Sequence, residues 1–168
     1  MLRWLWLAVT VLGLDQLTKS IAEHQLVQFA PVEVLPFFNL SLVYNTGAAF
    51  SLLGEAGGWQ RWLFIALALG VSVILVVWMR RLSPGEGLTA AALALVLGGA
   101  LGNVIDRVWH GHVIDFIDLH YAGYHWPAFN LADSAITVGA VLLIAGSLLP
   151  EPPSRRRREA DPPDDPAP

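Results

Sequence analysis

Two aspartates in this chain lie among apolar residues and have no basic neighbours. Asp133 follows Asn130 by three residues, and no lysine or arginine lies within one helical turn of it. Asp115 is expected to lie in a loop, flanked by Ile114 and Phe116. When two such carboxyl groups come together, one keeps its proton, because two adjacent negative charges repel each other. The ionised group can then deprotonate water while the protonated group polarises a carbonyl. A proton pathway through a membrane would use the same residue type.

Four further charged residues fall near the ends of apolar stretches. Asp15 and Lys19 are four residues apart, so they share one helical face and are expected to form a structural ion pair. Asp106 and Arg107 are adjacent, and a helix cap or an ion pair is the favoured explanation for them. Arg107 could alternatively bind a substrate carbonyl or a lipid headgroup.

Histidines are concentrated in the same part of the chain as Asp115 and Asp118. Metal ligation by these histidines with either aspartate is conceivable, but the chain has no HExxH pattern. Polar residues of an interfacial loop are therefore the favoured interpretation. The histidines are His110, His112, His120 and His125.

The composition indicates which kind of protein must hold these residues. Hydrophobic residues make up 55% of the 168 residues and charged residues only 14%, which is too little charge for a small water-soluble domain. The absence of cysteine excludes disulfides, thiolate metal sites and a cysteine nucleophile. The net charge of −4 gives no support to nucleic-acid binding.

Four apolar stretches predict four transmembrane helices, since about 20 apolar residues cross a bilayer. The first stretch also resembles a cleavable signal peptide. We favour an uncleaved helix, because Asp15 and Lys19 can neutralise each other within it. Gly98 and Gly102 have the spacing of closely packed helices. The predicted helices cover about 3–22, 59–79, 87–107 and 129–149.

Basic residues predict the orientation of these helices. Most lysines and arginines flank the helices on one side, and the segment 24–58 contains none. This distribution places both termini in the cytoplasm. The polar residues of helices one, three and four then all fall near the extracytoplasmic face.

Two segments outside the helices have distinct patterns. Alternation of apolar and polar residues around 38–45, with a short run at 32–35, predicts a small extracytoplasmic β element within 24–58. The segment 150–168 holds seven of the eleven prolines, and it is predicted to be a disordered cytoplasmic tail. Residues 1–149 are expected to form the membrane domain.

Five short motifs, in order, resemble those of one bacterial family. They are DQLTK at 15–19, NTGAAF at 45–50, GGALGNVIDR at 98–107, VIDFID at 113–118 and FNLADS at 129–134. With the predicted topology, the chain over about 3–149 resembles the lipoprotein signal peptidases, also called signal peptidase II.

The resemblance implies an intramembrane aspartyl endopeptidase of the inner membrane, with Asp115 and Asp133 as its catalytic dyad. It implies a diacylglyceryl-modified prolipoprotein as substrate, cut just before the lipidated cysteine, and the segment 24–58 as a β-cradle. It also implies no metal or other cofactor, contact with membrane lipid, and a monomer. Asp15 and Lys19 would be structural. The residues implied to position the substrate or the dyad are Asn45, Asn103, Arg107 and Asn130.

Two other classes of protein are compatible with the same residues. A small proton- or solute-coupled transporter would use Asp15, Asp115 and Asp133, although transporters usually show internal repeats and a midplane site. A membrane scaffold without catalytic activity, such as a lipoprotein-binding chaperone, would tolerate Asp133→Asn.

Overall fold

The computed structural model describes residues 1–47 and 57–148. The predicted disordered tail lies outside these residues, as does the part of the predicted β element that covers 48–56. A short 3-10 turn, Leu2–Trp4, precedes the first helix. The helices are α1 (Leu5–Gln25), α2 (Trp59–Arg81), α3 (Gly87–Trp109) and α4 (Leu131–Leu148). The strands are β1 (Val32–Leu35), β2 (Phe38–Asn45), β3 (Val113–Tyr121) and β4 (Tyr124–His125).

The predicted fold class, four helices with a small sheet, is confirmed. Helices α2, α3 and α4 are each long and apolar enough to cross a membrane. Helix α1 is the fourth long helix, and its buried residues include the charged Asp15 and Lys19. In the apolar window of α3, 56% of the residues are buried, against 22% in α2 and 17% in α4. Helix α3 is therefore the centre of the bundle, and the outer faces of α2 and α4 are free to meet lipid.

Glycines let the neighbouring helices approach α3 at the level of the backbone. A Cβ atom on Gly98 would lie 2.6 Å from the carbonyl oxygen of Ala8 in α1. A Cβ atom on Gly99 would meet the carbonyl oxygen of Ala132 in α4. The close packing predicted from the glycine spacing is confirmed, and it brings the polar faces of α1, α3 and α4 together.

The strands form one antiparallel sheet in the order β1-β2-β3-β4. The runs predicted as strands around 32–35 and 38–45 form β1 and β2. In the register of β2 and β3, Val43 lies opposite Asp115 and Asn45 lies opposite Val113. This register places the end of β2 beside the aspartate of β3.

Strand β3 corrects one expectation, since Asp115 was expected to lie in a loop. The first four residues of β3, from Val113 to Phe116, are all buried. A strand covered on both faces has no alternation of apolar and polar residues, so it lacks the pattern by which half-buried strands are found.

Candidate active site

Asn130 joins the two aspartates that the sequence singles out. Its side-chain Nδ2 donates to Asp115 Oδ1 at 2.7 Å, and its backbone N–H donates to Asp133 Oδ2 at 3.3 Å. Its Oδ1 accepts from the backbone N–H of Asp133 at 2.9 Å, which is the hydrogen bond of a helix N-cap. The N-terminus of α4 and the strand β3 therefore bring Asp115 and Asp133 into one site.

Each carboxyl group also accepts a hydrogen bond from a second asparagine. Asn45 Nδ2 donates to Asp115 Oδ2 at 3.0 Å, and Asn103 Nδ2 donates to Asp133 Oδ1 at 2.8 Å. Asp115 is only 1% exposed, whereas Asp133 is partly exposed. Among the residues described, neither carboxyl group has a lysine or arginine in ion-pair contact. Asparagine side chains thus orient both acids without neutralising them, and one acid remains open to water.

The surroundings of Asp115 favour its protonated form. Burial and the nearby charge of Asp133 raise the pKa of Asp115 to about 7, against the opposing effect of the hydrogen bonds from Asn45 and Asn130. Near neutral pH the pair can therefore hold one proton, which is the state that acid–base chemistry by two carboxyl groups requires.

Arg107 connects the end of β2 to the helix bundle. Its Nη2 donates to the carbonyl oxygen of Gly47 at 2.9 Å, and its Nη1 donates to that of Asn103 at 3.3 Å. Its guanidinium carbon lies 5.2 Å from the ring centroid of Phe64 in α2. Asn45 Oδ1 accepts from the backbone N–H of Gly47 at 3.0 Å, so its Nδ2 is left to face Asp115. Arg107 and Gly47 therefore hold Asn45 in place.

The predicted ion pair between Asp15 and Lys19 is confirmed, with Nζ 2.8 Å from Asp15 Oδ2. A helix cap or an ion pair was predicted for Asp106 and Arg107. Of these, the ion pair between them is wrong, because Asp106 Oδ2 lies 2.8 Å from Lys19 Nζ instead. Adjacent residues on a helix point in different directions, so the two side chains do not face each other. Gln16, which donates to Asp106 Oδ1 at 2.8 Å, was missed because a single glutamine next to a charged residue carries no signal of its own.

The histidines divide into two groups at different places on the sheet. The rings of His120 and His125 stack at 5.0 Å, and His125 Nδ1 lies 2.8 Å from Asp118 Oδ1. The rings of His110 and His112 lie 5.9 Å apart at the opposite end of β3. Within residues 1–47 and 57–148, no group of three or more histidine or acidic side chains is arranged to hold a metal ion.

Together, the fold and the site define a class of membrane protein. Two carboxyl groups in it are linked by an asparagine, at the point where a helix begins beside a strand. The chain matches the family model described as Signal peptidase (SPase) II over residues 7–149. It belongs to the signal peptidase II family.

Similar proteins agree with this assignment. The chain is 57% identical to the lipoprotein signal peptidase of Pseudomonas aeruginosa over 144 residues, which is 84% of this chain and 85% of the relative. It is 53% identical to that of Teredinibacter turnerae over 147 residues, which is 88% of each chain. A bacterial membrane enzyme solved by the in meso method at 2.3 Å resolution has a TM-score of 0.78 and 35% identity, covering 87% of each chain. A second, at 1.9 Å resolution, has a TM-score of 0.77 and 34% identity, covering 89% of this chain and 94% of its own.

Family membership establishes the class of reaction. Signal peptidase II enzymes are aspartic peptidases that cleave signal peptides from prolipoproteins. The chain is accordingly a hydrolase of the bacterial inner membrane. This assignment favours the predicted peptidase over the transporter and scaffold alternatives.

Proposed function

We propose that this chain removes the signal peptide from diacylglyceryl-modified prolipoproteins, cutting just before the lipidated cysteine, with Asp115 and Asp133 as its catalytic pair. The observation that carries the proposal is the hydrogen bonding of Asn130 to both carboxyl groups. The raised pKa of Asp115, about 7, further supports a pair that shares one proton at neutral pH.

In the proposed reaction the two acids act on a water molecule and the scissile carbonyl. The ionised carboxylate takes a proton from water, and the new hydroxide bonds to the carbonyl carbon. The protonated carboxyl group donates its proton to the carbonyl oxygen, which gives a tetrahedral diol. Collapse of the diol breaks the C–N bond. A proton from the pair passes to the leaving amine, and one diol hydroxyl returns its proton to the pair as it becomes the carbonyl of the product acid. The pair ends with one proton, as it began, and no covalent enzyme intermediate forms.

Four residues around the pair are proposed to position the substrate or the acids. Asn45, Asn103 and Asn130 hold the carboxyl oxygens by the hydrogen bonds described above. Arg107 supports Asn45 through Gly47 and lies beside the site with its charge only partly buried. Asp15 and Lys19 are proposed to be structural.

The proposed site faces the extracytoplasmic side, with both termini in the cytoplasm. The distribution of lysine and arginine supports this orientation. It suits the proposed substrate, since acyl chains stay in the bilayer while the peptide bond reaches water. We also propose that the enzyme contacts membrane lipid through its apolar helices and works as a monomer, because residues of one chain complete the site.

Cleavage should depend on the lipid of the substrate and should not depend on a metal ion. Purified protein in liposomes is expected to shorten diacylglyceryl-modified prolipoprotein on a gel, with equal rates in the presence and absence of EDTA. Unmodified prolipoprotein is expected to react at least about 100-fold more slowly, because the acyl chains position the scissile bond. Equal cleavage of both substrates would contradict the substrate assignment, and loss of activity in EDTA would contradict the mechanism.

The cleavage rate should fall as the pH rises above about 7. Asp115 loses its proton in that range, which leaves two negative charges and no acid to protonate the carbonyl oxygen. The value of kcat/KM is expected to fall about tenfold per pH unit on this limb, because kcat/KM reports the pKa of the free enzyme. The same raised pKa makes the free energy of unfolding fall as the pH rises from 3.8 to about 7, because only the carboxyl group of the unfolded chain ionises in that range. A rate that stays constant to pH 9 would rule out Asp115 as the proton donor.

A further inference from the structure

Three charged side chains form a buried cluster beneath the proposed catalytic pair. Asp15, Lys19 and Asp106 are each at most 1% exposed, and Lys19 Nζ lies 2.8 Å from a carboxylate oxygen of each aspartate. We refer to these three residues as the charged triad. Taking three charges out of water is costly, and apolar side chains of similar volume usually fill a core at least as well. The other groups that the triad binds therefore indicate what role it has besides filling space.

One carboxylate of the triad holds the strand that carries Asp115. Asp106 Oδ2 accepts from the backbone N–H of Ile114, the residue before Asp115, at 3.1 Å. Its other oxygen accepts from Gln16 Nε2 at 2.8 Å, and this amide also donates to the carbonyl oxygen of Gly102 at 3.3 Å. Asp106 is thus fixed on both oxygens and in turn fixes the beginning of β3.

The other carboxylate holds the helix that carries Asp133. Asp15 Oδ1 accepts from the backbone N–H of Ala132, the residue before Asp133, at 2.9 Å. Its Oδ2 faces Lys19 and also lies close to Gly102, where a Cβ atom would come within 2.5 Å of it. The two carboxylates therefore have matching roles, because each binds the backbone amide that immediately precedes one member of the pair.

The lysine determines the orientation of a third group. Lys19 Nζ donates to Asn103 Oδ1 at 3.0 Å. An ammonium group can only donate, so it requires the amide oxygen of Asn103 on its side. The amide nitrogen then faces Asp133, to which it donates at 2.8 Å. Lys19 thus controls which end of the asparagine reaches Asp133.

We propose that the charged triad, with Gln16 and Gly102, is the positioning device of the catalytic pair and sets the distance between Asp115 and Asp133. This inference rests on the proposed function, because it assigns those two residues as the acids. Asp106, as a member of the triad, and Gln16 and Gly102, which contact the triad, become positioning residues and do not touch the substrate.

Two substitutions disturb the triad in different ways. Asp106→Asn removes one of the two negative charges that face Lys19 and keeps the shape of the side chain. Gly102→Ala keeps every polar group and pushes the carboxylate of Asp15 away from its partners. Each is expected to lower kcat by about 100-fold with KM within about twofold of wild type, since the substrate still binds but the acids are misplaced. Both rates are measured with the lipidated prolipoprotein, alongside thermal unfolding in detergent.

Matched controls come from the same elements. Asp118→Asn removes a carboxylate from β3 that accepts from Asn39 and has no contact with the triad. Gly13→Ala adds a methyl group to α1 where nothing lies within 4 Å. Both controls are expected to keep kcat within about twofold of wild type, since neither touches the pair.

The outcomes separate this inference from the proposed function. Folded Asp106→Asn and Gly102→Ala proteins with wild-type kcat would overturn the inference if Asp115→Asn is inactive in the same assay. A fall in kcat that merely follows the fraction of unfolded protein would assign the triad to stability and would also overturn it. If Asp106→Asn does not fold, Gly102→Ala decides. If neither variant folds while both control variants do, the result assigns the triad to stability and overturns the inference. Activity of Asp115→Asn would instead contradict the proposed function.

Discussion

Asp115→Asn and Asp133→Asn are each expected to abolish cleavage of lipidated prolipoprotein while the protein remains folded. An amide side chain is too weak a base to take a proton from water and too weak an acid to protonate the carbonyl oxygen. Each substitution therefore removes one half of the pair. We expect the rate to fall by at least about 10³-fold in either variant. The double variant should lose little more, because residues that act as a unit are not additive. The rate is measured by gel shift with excess enzyme.

The control for this experiment is Asp118→Asn. Asp118 lies on the same strand as Asp115, three residues further along, and it is also buried. Burial acts to raise its pKa, but hydrogen bonds from His125 and Asn39 outweigh this and hold the pKa below its usual value. It is therefore a charged group with no proton to supply at neutral pH, and its loss should leave the rate nearly unchanged. Retention of more than a tenth of the wild-type rate by Asp115→Asn would exclude the proposed mechanism.

Asn130→Ala should have the next largest effect, because it removes the links that the Asn130 side chain makes to both acids. Asn130 is fully buried, and its amide donates to Asp115 while its oxygen caps the helix at Asp133. Loss of these bonds is expected to lower kcat by about 100-fold or more. It should also lower the free energy of unfolding by about 1–3 kcal/mol, since buried partners lose their hydrogen bonds. Thermal or chemical unfolding in detergent measures the second effect.

Asn130→Asp separates the two effects. Its carboxylate can still cap the backbone N–H of Asp133, but it places a further negative charge beside Asp115. We expect an inactive protein at neutral pH that keeps more of its stability than Asn130→Ala. Ser147→Ala, at an exposed position near the other end of α4, serves as the control, because its hydroxyl donates to the carbonyl oxygen of Ile144 at 2.7 Å. Equal kcat for wild type and Asn130→Ala would show that Asn130 does not hold the pair together.

The sequence was sufficient to find the helices and the two acids, because both leave local signals. An apolar stretch is visible in a short window, and an aspartate within one, such as Asp133, is conspicuous. Strand β3 left no such signal, because both of its faces are buried at the start. A helix was therefore expected where the chain is apolar, and a strand was expected where apolar and polar residues alternate. Around Asp115, where neither signal is present, a loop was expected.

The connections within the site depend on contacts between distant parts of the chain. Gln16 and Asp106 are 90 residues apart, and nothing near either residue announces the other. The partner of Asp106 was predicted wrongly for the same reason, because Arg107 is near in sequence and Lys19 is near in space. The resemblance to known motifs predicted that Asn45, Asn103 and Asn130 position the substrate or the acids. The structure adds which oxygen each of them holds.

The separation of the two acids along the chain bears on how the enzyme is made. Asp115 lies on β3, and both Asp133 and its partner Asn130 belong to the start of α4, which follows the other three helices. Synthesis from the N-terminus therefore delivers α1, α2, α3 and the sheet to the membrane before α4 can dock. Until α4 docks against α3, the first acid has no second carboxyl group beside it. On the proposed assignment of Asp115 and Asp133, a molecule whose α4 has not docked lacks a complete pair, and we expect it to be unable to attack the precursors that enter the membrane around it.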